Sequence, residues 1–377
     1  MTGFNQFNGD RLPPVFFSDE AQGYYVFTNQ EMIADGYQRP DLFSSTAMIP
    51  IEPDPPYNWI PEMLDPPDHT KWRRLLGPLF TPARAKAMTD DVRTLAVSLI
   101  ENLAERDDCE FVKEFAKQFP TTIFLNLMGL PQTDLDMFLR WEYLILHGND
   151  ETDPTREKAM AAMGEVAQYF SAAIATARGD DHADKTDVIS QAVRWEIDGA
   201  PIPEQDLLSL CILLLIAGLD TVAAQLSYAF YTLAKRPDLR QRIVDEPAIV
   251  PRAVEEFLRV HSIVQPGRKV TRDVEFHGCP LKAGDMVLLP LAAAGRDDSQ
   301  YERASEVDFD RPAFRHIAFG AGPHRCLGSH LARIELAVAL EEWHRRIPEY
   351  QIFDEDSIVE HHSGVYGLNS LPLTWAT

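Results

Sequence analysis

A glycine-rich turn at residues 319–328 carries a single cysteine, Cys326, and leads directly into a periodic stretch of sequence. Apolar residues recur at helical spacing over residues 329–340, so the cysteine is predicted to lie at or just before a helix N-terminus. Unpaired backbone N–H groups and the positive end of the helix dipole meet there, and both favour a thiolate. The glycines remove side chains, which lets a flat ligand approach the backbone closely.

A thiolate held in this way is a soft axial ligand for haem iron, and it favours cleavage of the O–O bond. Two other interpretations of the turn exist. A lone cysteine in a glycine turn is often a buried structural thiol. The turn also resembles the start of a dinucleotide-binding loop, but Arg325 stands where the third glycine belongs and no βαβ unit precedes it. The turn therefore predicts a haem–thiolate site with Cys326 as the metal ligand.

The composition limits the classes of protein that fit. The chain has 377 residues, 45% of them hydrophobic, which is enough for a large core. Its four cysteines lie far apart, so neither a disulfide framework nor a zinc site is predicted. A net charge of −23 without a basic stripe argues against a nucleic-acid partner. We expect no apolar run of the sequence to span a bilayer, and the N-terminus does not have the pattern of a signal peptide. A cytoplasmic protein without a membrane anchor is therefore expected.

A long helix is predicted over residues 205–235, and its centre is apolar on all faces, so it should be buried throughout. Gly218, Asp220 and Thr221 are costly inside such a helix, because glycine weakens it and a buried carboxylate needs partners. The Thr221 hydroxyl can bond back to the carbonyl of Ala217 and loosen the helix. An opened helix would leave room for dioxygen, whereas the alternative is a buried kink without chemistry.

Two residue pairs at helical spacing are further candidates. His69 and Arg73 are four apart and share one helix face, which is either a ligand-binding face or a solvated polar one. Glu256 and Arg259 are three apart on another predicted helix, where an acid and a base can form an ion pair. Neither pair is specific without further context.

Short strands are predicted in three regions, at residues 14–18 with 24–28, 269–275 with 286–290, and 363–375. Helical patterns occupy much of the remaining chain, with breaks near residues 148–154 and 179–185. No internal repeat and no glycine–serine linker is present, so we expect a single domain over residues 1–377.

Together these motifs resemble the bacterial cytochrome P-450 monooxygenases over nearly the whole chain. The turn at residues 319–328 matches the cysteine signature of that family at every fixed position. Residues 217–221 look like its oxygen-activation motif, and residues 65–73 look like the helix that binds the haem propionates. The resemblance implies a mainly α protein with small β-sheets, the single helical prism-shaped domain of the cytochrome P-450 fold.

The pair Glu256 and Arg259 looks like the family's Glu-x-x-Arg pair, which is tied to an arginine before the cysteine, here Arg311 or Arg315. Within the family the chain is most similar to the camphor monooxygenases. It departs from them at Pro266, where they have an aspartate near a propionate, and in beginning close to its first strand.

The resemblance implies heme b, with Cys326 as iron ligand, and dioxygen as co-substrate. The cofactor-binding residues that it implies are His69, Arg73, Gly218, Arg268, Phe319, His324 and Gly328. It assigns Asp220 and Thr221 to catalysis, as the pair that delivers protons while dioxygen is activated. The implied reaction is hydroxylation of an unactivated C–H bond with two electrons supplied from outside.

The resemblance also implies which residues bind the substrate. The expected lining residues are Met48, Tyr57, Trp59, Leu213, Ile216, Val264, Val365 and Tyr366. In an apolar pocket the Tyr57 hydroxyl needs a partner, and a substrate carbonyl or a protein group would serve. A small alicyclic or terpenoid molecule is expected as the substrate.

No flavin or iron–sulfur segment is seen, so electrons are expected to come ultimately from NAD(P)H through a reductase and a small acidic ferredoxin of the 2Fe–2S type. A docking patch of arginines near the cysteine would suit that partner, namely Arg73, Arg74, Arg325 and Arg84. A monomer is expected.

Other functions use the same motifs differently. The site could serve a peroxygenase or an isomerase, although the intact pair Asp220 and Thr221 favours use of dioxygen. A haem sensor or carrier would not turn over with a reductase chain. An acidic scaffold without a cofactor would leave the cysteine turn and the buried Asp220 unexplained.

Overall fold

The computed structural model describes residue 4 and residues 12–147, 153, 155–179, 185–312, 315–362 and 364–376. These residues form a mostly helical protein with small β-sheets, which confirms the predicted fold class. The predicted breaks near residues 148–154 and 179–185 lie largely outside the described residues.

Helices dominate the described part of the chain. The α-helices are α1 (Gln30–Gln38), α2 (Asp68–Leu76), α3 (Pro82–Ala87), α4 (Thr89–Ala104), α5 (Gln118–Met128), α6 (Leu135–Glu142), α7 (Glu157–Gly179), α8 (Val188–Ala192), α9 (Glu204–Lys235), α10 (Pro237–Asp245), α11 (Val250–Val260), α12 (Leu291–Gly295) and α13 (Ser329–Arg346). Two segments of wider π-helix, Val112–Ala116 and Tyr143–His147, lie before α5 and after α6. Such segments often occur at functional sites.

The strands are short and form several small sheets. They are β1 (Val15–Ser18), β2 (Tyr24–Phe27), β3 (Phe43–Ser44), β4 (Asp108–Glu110), β5 (Glu196–Ile197), β6 (Ala200–Pro201), β7 (Gly267–Val270), β8 (Val274–Phe276), β9 (Cys279–Leu281), β10 (Met286–Leu288), β11 (Gln351–Ile352), β12 (Glu360–His362), β13 (Tyr366–Leu368) and β14 (Pro372–Thr374). One sheet has the order β1-β2-β10-β7-β3 and another has the order β11-β14-β4. The remaining pairs are β5 with β6, β8 with β9, and β12 with β13.

The strand predictions were right in position but too coarse in one region. β1 and β2 pair antiparallel, as expected from residues 14–28. The single strand predicted at residues 269–275 is instead the end of β7 and the start of a separate hairpin, β8 with β9. That hairpin turns at His277 and Gly278, which both have positive φ, a conformation that glycine adopts easily.

The long helix α9 is the central element, and it is a continuous α-helix from Glu204 to Lys235. The prediction that no apolar run could span a membrane was wrong on length, because α9 is long and apolar enough. In the structure it packs against α5, α7 and β13 and carries sixteen buried residues, as the core helix of a globular protein does.

Helix α9 joins two apolar clusters. Residues Leu207, Leu215 and Leu219 in its first half pack with α5, α6 and α7. Val222 and Phe230 in its second half pack with α4, α11 and α13. The polar residues predicted to be functional therefore lie at the boundary between the two clusters.

Glu256 and Arg259 form the predicted structural lock. The Arg259 guanidinium donates to both carboxylate oxygens of Glu256, at 2.9 and 2.7 Å, and both side chains are almost fully buried. Arg311 donates to the same carboxylate at 3.0 Å, so it and not Arg315 is the third member. Arg259 also donates to the carbonyl of Ala304 at 2.6 Å. The lock thus ties α11 to the irregular segment that leads to the cysteine turn.

Candidate active site

The cysteine turn is held against the end of α1. Gly320 and Gly322 have φ of +70° and +67°, which glycine tolerates without strain. A Cβ at Gly322 would lie 2.3 Å from the carbonyl oxygen of Tyr37, so no side chain fits there. The Cys326 N–H donates to the carbonyl of Phe319 at 2.9 Å, and α13 begins three residues later. The predicted placement of the cysteine just before a helix is confirmed.

The electrostatics of Cys326 differ from the prediction. Its side chain is accessible to solvent, although protein surrounds it densely. Burial raises the pKa of the Cys326 thiol, and the opposing effect of the Gly328 N–H is smaller. The sequence suggested that the helix N-terminus favours the thiolate. In the folded protein this local effect is not enough to lower the pKa of Cys326. A thiol in this setting becomes a thiolate when it coordinates a metal cation.

Four cationic or hydrogen-bonding side chains converge near the cysteine turn, as predicted. The ring centroids of His69 and His324 lie 3.9 Å apart. Arg268 is buried on β7, and Arg73 lies on α2 one turn after His69. Within the described residues, neither ring nitrogen of His69 has a hydrogen-bond partner, and the Nδ1 of His324 has none either. Burial, followed by the charges of His324 and Arg73, lowers the pKa of His69 to about 4, so it is a neutral donor at pH 7.

A protein carboxylate already stands among these side chains. Glu62 lies 3.8 Å from the Nδ1 of His324 and 3.9 Å from a guanidinium nitrogen of Arg268. Burial would raise the pKa of Glu62, but His324 and Arg268 hold that pKa below its usual range. The cluster therefore accommodates carboxylates, and unpartnered donors remain for more. This fits the two propionates of the predicted haem.

One stripe of α9 is not buried, contrary to the prediction for the whole helix. Leu213, Ile216 and Thr221 are partly accessible, and Ala217 is exposed, in the middle of a helix that is otherwise packed. These residues recur every three or four positions and so share one face. The Thr221 hydroxyl donates to the carbonyl of Ala217 at 2.9 Å, as predicted. The helix nevertheless stays regular here, since backbone pairing continues.

Gly218 lies on the other side of α9, where close packing requires a glycine. A Cβ at this position would lie 2.9 Å from the ring of Phe124 on α5. The glycine thus lets α5 and α9 approach each other. Its predicted contact with a cofactor stays a prediction.

Asp220 is buried and joins a charged network that the sequence did not reveal. Its Oδ1 lies 3.0 Å from the Nε2 of His147, and the same nitrogen lies 2.7 Å from Glu142. Glu142 also accepts from the Lys117 ammonium at 2.9 Å. Burial would raise the pKa of Asp220, but the hydrogen bond and charge of His147 hold it below its usual range. Although burial opposes it, hydrogen bonding to Asp220 and Glu142 raises the pKa of His147 to about 9.

His361 completes this group from the opposite side. Its ring lies 4.3 Å from that of His147, between centroids, in a T-shaped arrangement. Burial and the charge of His147 lower the pKa of His361 to about 4, so it is neutral at pH 7. No spacing pattern in the sequence links His147 or His361 to Asp220, which is why they were missed.

The predicted substrate residues come together only in part. Tyr57 and Trp59 stack with ring centroids 4.6 Å apart, and Val264 forms a β-bridge with Val365. Leu213 and Ile216 lie on the accessible stripe of α9 described above. Met48 is partly buried, and its carbonyl accepts from the Gly267 N–H at 2.6 Å.

Two of these residues are engaged elsewhere. The Tyr57 hydroxyl donates to Glu52 at 2.6 Å, which is the protein partner considered as the alternative to a substrate carbonyl. Tyr366 is buried in the core, 5.4 Å from the ring of Phe4 between centroids. Val365 and Tyr366 are neighbours on an extended segment, so their side chains point to opposite sides. Tyr366 as a substrate-binding residue stays a prediction.

The predicted arginine patch is partly internal. Arg74 and Arg325 are exposed, but Arg73 donates to the carbonyl of Arg325 at 2.6 Å and is half-buried. Arg84 is exposed and donates to the carbonyl of Thr186 at 3.1 Å. Phe319 lies under the guanidinium of Arg333, 4.5 Å from the ring centroid. Arg73 thus fits a propionate partner better than a docking contact.

Comparisons with known proteins agree with this geometry. The family model described as cytochrome P-450 matches residues 135–343. A probable cytochrome P-450 127A1 of Sinorhizobium fredii is 35% identical over 97% of this chain and 88% of its own length. A steroid C26-monooxygenase of Mycobacterium tuberculosis is 32% identical over 96% of this chain and 97% of its own length. A mycinamicin IV hydroxylase/epoxidase of Micromonospora griseorubida is 33% identical over 83% of this chain and 79% of its own.

Solved structures show the same fold. The crystal structure of CYP101J2 superimposes with a TM-score of 0.85 and 32% identity, covering 97% of this chain and 90% of that one. The bottromycin biosynthetic protein SalCYP superimposes with a TM-score of 0.86 and 33% identity, with the same coverage. Similarity of this extent, along nearly the whole chain, makes the protein a member of the cytochrome P-450 family and a monooxygenase.

Proposed function

We propose that this enzyme hydroxylates an unactivated C–H bond of a small hydrophobic substrate, with Asp220 and Thr221 delivering the protons. The observation that carries the proposal is the arrangement of these two neighbours on α9. The Thr221 hydroxyl lies on the accessible face, whereas the Asp220 carboxylate lies in a buried charged network. An acid connected to a proton source and an alcohol open to the pocket are what stepwise proton delivery needs.

Membership of the family implies haem, and Cys326 would hold its iron. The bound group would supply the chemistry that activates dioxygen with two electrons for insertion of one oxygen atom into the substrate. The overall balance is substrate, O₂, two protons and two electrons giving the alcohol and water. His69, Arg268, His324 and Arg73 would hold the propionates through their unpartnered or charged donors. In this proposal Glu62 gives way to the propionates, because its carboxylate stands among the same donors.

The chain's own residues supply the protons. The Thr221 hydroxyl holds a proton at the accessible face. When that proton is used, Asp220 supplies the next one to the hydroxyl. Asp220 is in turn linked through His147 and Glu142 to Lys117, whose side chain is 15% exposed. This series of contacts leads from the protein surface to the helix centre. It favours use of dioxygen, which consumes two protons, over a peroxygenase, in which the oxidant already carries them.

The proposed class of substrate follows from the residues expected to line the pocket. The stacked pair Tyr57 and Trp59 offers a flat aromatic surface, and Leu213 and Ile216 offer branched aliphatic ones. Such walls suit a small alicyclic or terpenoid molecule. A substrate ketone would have to compete with Glu52 for the Tyr57 hydroxyl. The similarity to camphor monooxygenases stays a prediction, since the relatives named above are 32 to 35% identical and two of them name a steroid and mycinamicin IV.

The electron donor is proposed to be a small acidic ferredoxin of the 2Fe–2S type, reduced from NAD(P)H by its reductase. The exposed guanidinium groups of Arg74, Arg84 and Arg325 support this, because they would attract an acidic partner despite the negative net charge. We further propose a cytoplasmic, monomeric enzyme.

The proposal is tested by the yield of product per electron in Thr221→Ala. Without the hydroxyl, reduced oxygen should leave as hydrogen peroxide, so product per NADH should fall several-fold while NADH consumption continues. Ser227→Ala is a matched control, since Ser227 makes the same bond to the carbonyl four residues earlier, at 2.7 Å, but is fully buried. An unchanged yield in Thr221→Ala would show that the proton-delivery role is wrong.

A further inference from the structure

We propose that His147, Asp220 and His361 form a binding site for a divalent transition-metal ion, specifically Zn²⁺, between α9 and the β12–β13 hairpin. Each residue offers one ligand atom, and these atoms lie within 4.8 Å of one another. Donor atoms in a tetrahedral zinc shell stand about 3.3 Å apart, so small side-chain movements close the site. Two imidazoles and a carboxylate form a donor set that binds zinc in preference to magnesium or calcium.

His361 is oriented as metal-binding histidines are. Its Nδ1 lies 2.9 Å from the side-chain oxygen of Asn369, which fixes Nδ1 as the protonated nitrogen. The other nitrogen, Nε2, is then a free acceptor. Within the described residues it is buried and has no hydrogen-bond partner. A hydrogen bond of this kind to the other ring nitrogen typically sets both the tautomer and the direction of a metal-binding imidazole.

The backbone opposite His361 makes room for the ring. Gly367 pairs with His361 across the β12–β13 hairpin. A Cβ at Gly367 would lie 2.6 Å from the His361 Nε2 and 2.4 Å from its Cε1. The glycine therefore lets the imidazole lie over the strand, close to the ring of His147.

The other ligands come from separate, well-packed elements. Asp220 and His147 are buried, with side chains 5% and 1% exposed, and they lie on α9 and at the end of the segment Tyr143–His147. Glu142 lies 2.7 Å from the same His147 nitrogen, beside the set of three ligand atoms but not within it. Its remaining contact, to Lys117 at 2.9 Å, would balance the carboxylate charge.

Binding exchanges one cation for another. In the structure the N–H at His147 Nε2 faces both carboxylates, Asp220 and Glu142. A zinc ion would take the place of that proton, and the proton would be released to solvent. The two carboxylates would then have zinc as their positive partner. The exchange changes the charge of the buried cluster by one unit and requires no redox step.

Zinc bound here would withdraw the Asp220 carboxylate from proton delivery. This consequence rests on the proposed function, whereas metal binding itself does not. Micromolar zinc should therefore lower product per NADH and raise peroxide, as Thr221→Ala does. The inhibition should reverse when a chelator is added.

The site is tested by equilibrium dialysis of the tag-free holoenzyme against Zn²⁺, with metal content measured by mass spectrometry. We expect one zinc per chain beyond the haem iron, and none when Mg²⁺ replaces Zn²⁺. His361→Gln should weaken zinc binding about 100-fold, and Asn369→Leu, which keeps all ligands, about tenfold. His277→Gln is the matched control, since His277 lies at the surface beside Asp35, at 3.0 Å, and should leave zinc binding unchanged.

The outcomes separate the site from the proposed function. Equal zinc content in wild type and His361→Gln, or a loss confined to His277→Gln, would overturn the site. A haem spectrum unchanged in His361→Gln shows that the variant is folded. Zinc that binds as described but leaves the peroxide yield unchanged would contradict the role of Asp220 and leave the metal site standing.

Discussion

Asp220 and His147 are 73 positions apart in the chain, and their side chains meet at 3.0 Å between Oδ1 and Nε2. The contact joins the centre of α9 to the end of the π-helical segment after α6. It gives the buried carboxylate the partner that its burial demands. It also connects that carboxylate to Glu142 and Lys117, so the residue proposed to relay protons is not isolated in the core.

Substituting His147 tests that connection. His147→Gln should lower product per NADH several-fold, because Asp220 loses its link to a proton source, and it should destabilise the fold by about 3 kcal/mol, because a buried carboxylate loses its cation. Coupling assays and urea denaturation measure the two effects. The control His277→Gln removes an exposed histidine–aspartate pair and should cost less than about 1 kcal/mol. Normal coupling in His147→Gln would remove it from the proton route.

The lock around Glu256 should matter for stability and for haem retention. Glu256 accepts bonds from Arg259 and Arg311 and from the backbone N–H of Asp308, at 3.0 Å. Glu256→Gln leaves two buried guanidinium groups with too little negative charge, which should cost about 3 to 5 kcal/mol. Urea denaturation and the ratio of haem to protein measure this. Glu255→Gln, which removes a partly exposed partner of Arg333, should cost less. Equal losses in both variants would contradict the special role of the lock.

Glu335 should make stability depend on pH. It is buried on α13, its Oε2 has no hydrogen-bond partner among the described residues, and burial raises its pKa to about 8. The folded pKa lies above the ordinary value of 4.5, so this group's stabilising effect is complete below about pH 4.5 and is lost as pH rises through 8. The loss is on the order of 5 kcal/mol, at about 1.4 kcal/mol per pKa unit.

Glu335→Gln should therefore be more stable than wild type at pH 8.5 and gain little at pH 5. Thermal denaturation at both values measures the difference. Glu341→Gln on the same helix removes an ion-paired carboxylate, to Arg93 at 2.7 Å, and should not reduce the loss of stability at high pH. A wild type and a Glu335→Gln variant with the same pH dependence would mean that Glu335 has a partner in solution.

Local patterns predicted the parts of this protein that depend on neighbours in sequence. The cysteine turn, the bond from Thr221 to Ala217 and the pair Glu256 and Arg259 all join residues within a few positions of one another. In each case side-chain geometry on a turn or helix decides the contact. These features were therefore visible before the fold was known.

Contacts between distant segments were not predictable in the same way. His361 reaches Asp220 from a hairpin near the end of the chain, and Glu62 reaches His324 from the segment between β3 and α2. The burial of Tyr366 was not predictable either, because its side of the strand depends on the register of β13 with β12. The pKa of Cys326 was misjudged because burial, which depends on the whole fold, outweighs the local hydrogen bond from the Gly328 N–H.

Every role proposed for the active-site residues depends on Cys326 as the haem ligand. The most direct test is the absorption spectrum of the purified, dithionite-reduced protein under carbon monoxide, with Cys326→His beside it. A strongly red-shifted Soret band in the wild type, lost in the variant, is the predicted result and means that a thiolate binds the ferrous haem. An ordinary Soret position in the wild type would mean a histidine or a protonated thiol as ligand, and would contradict the proposed oxygen activation at this site.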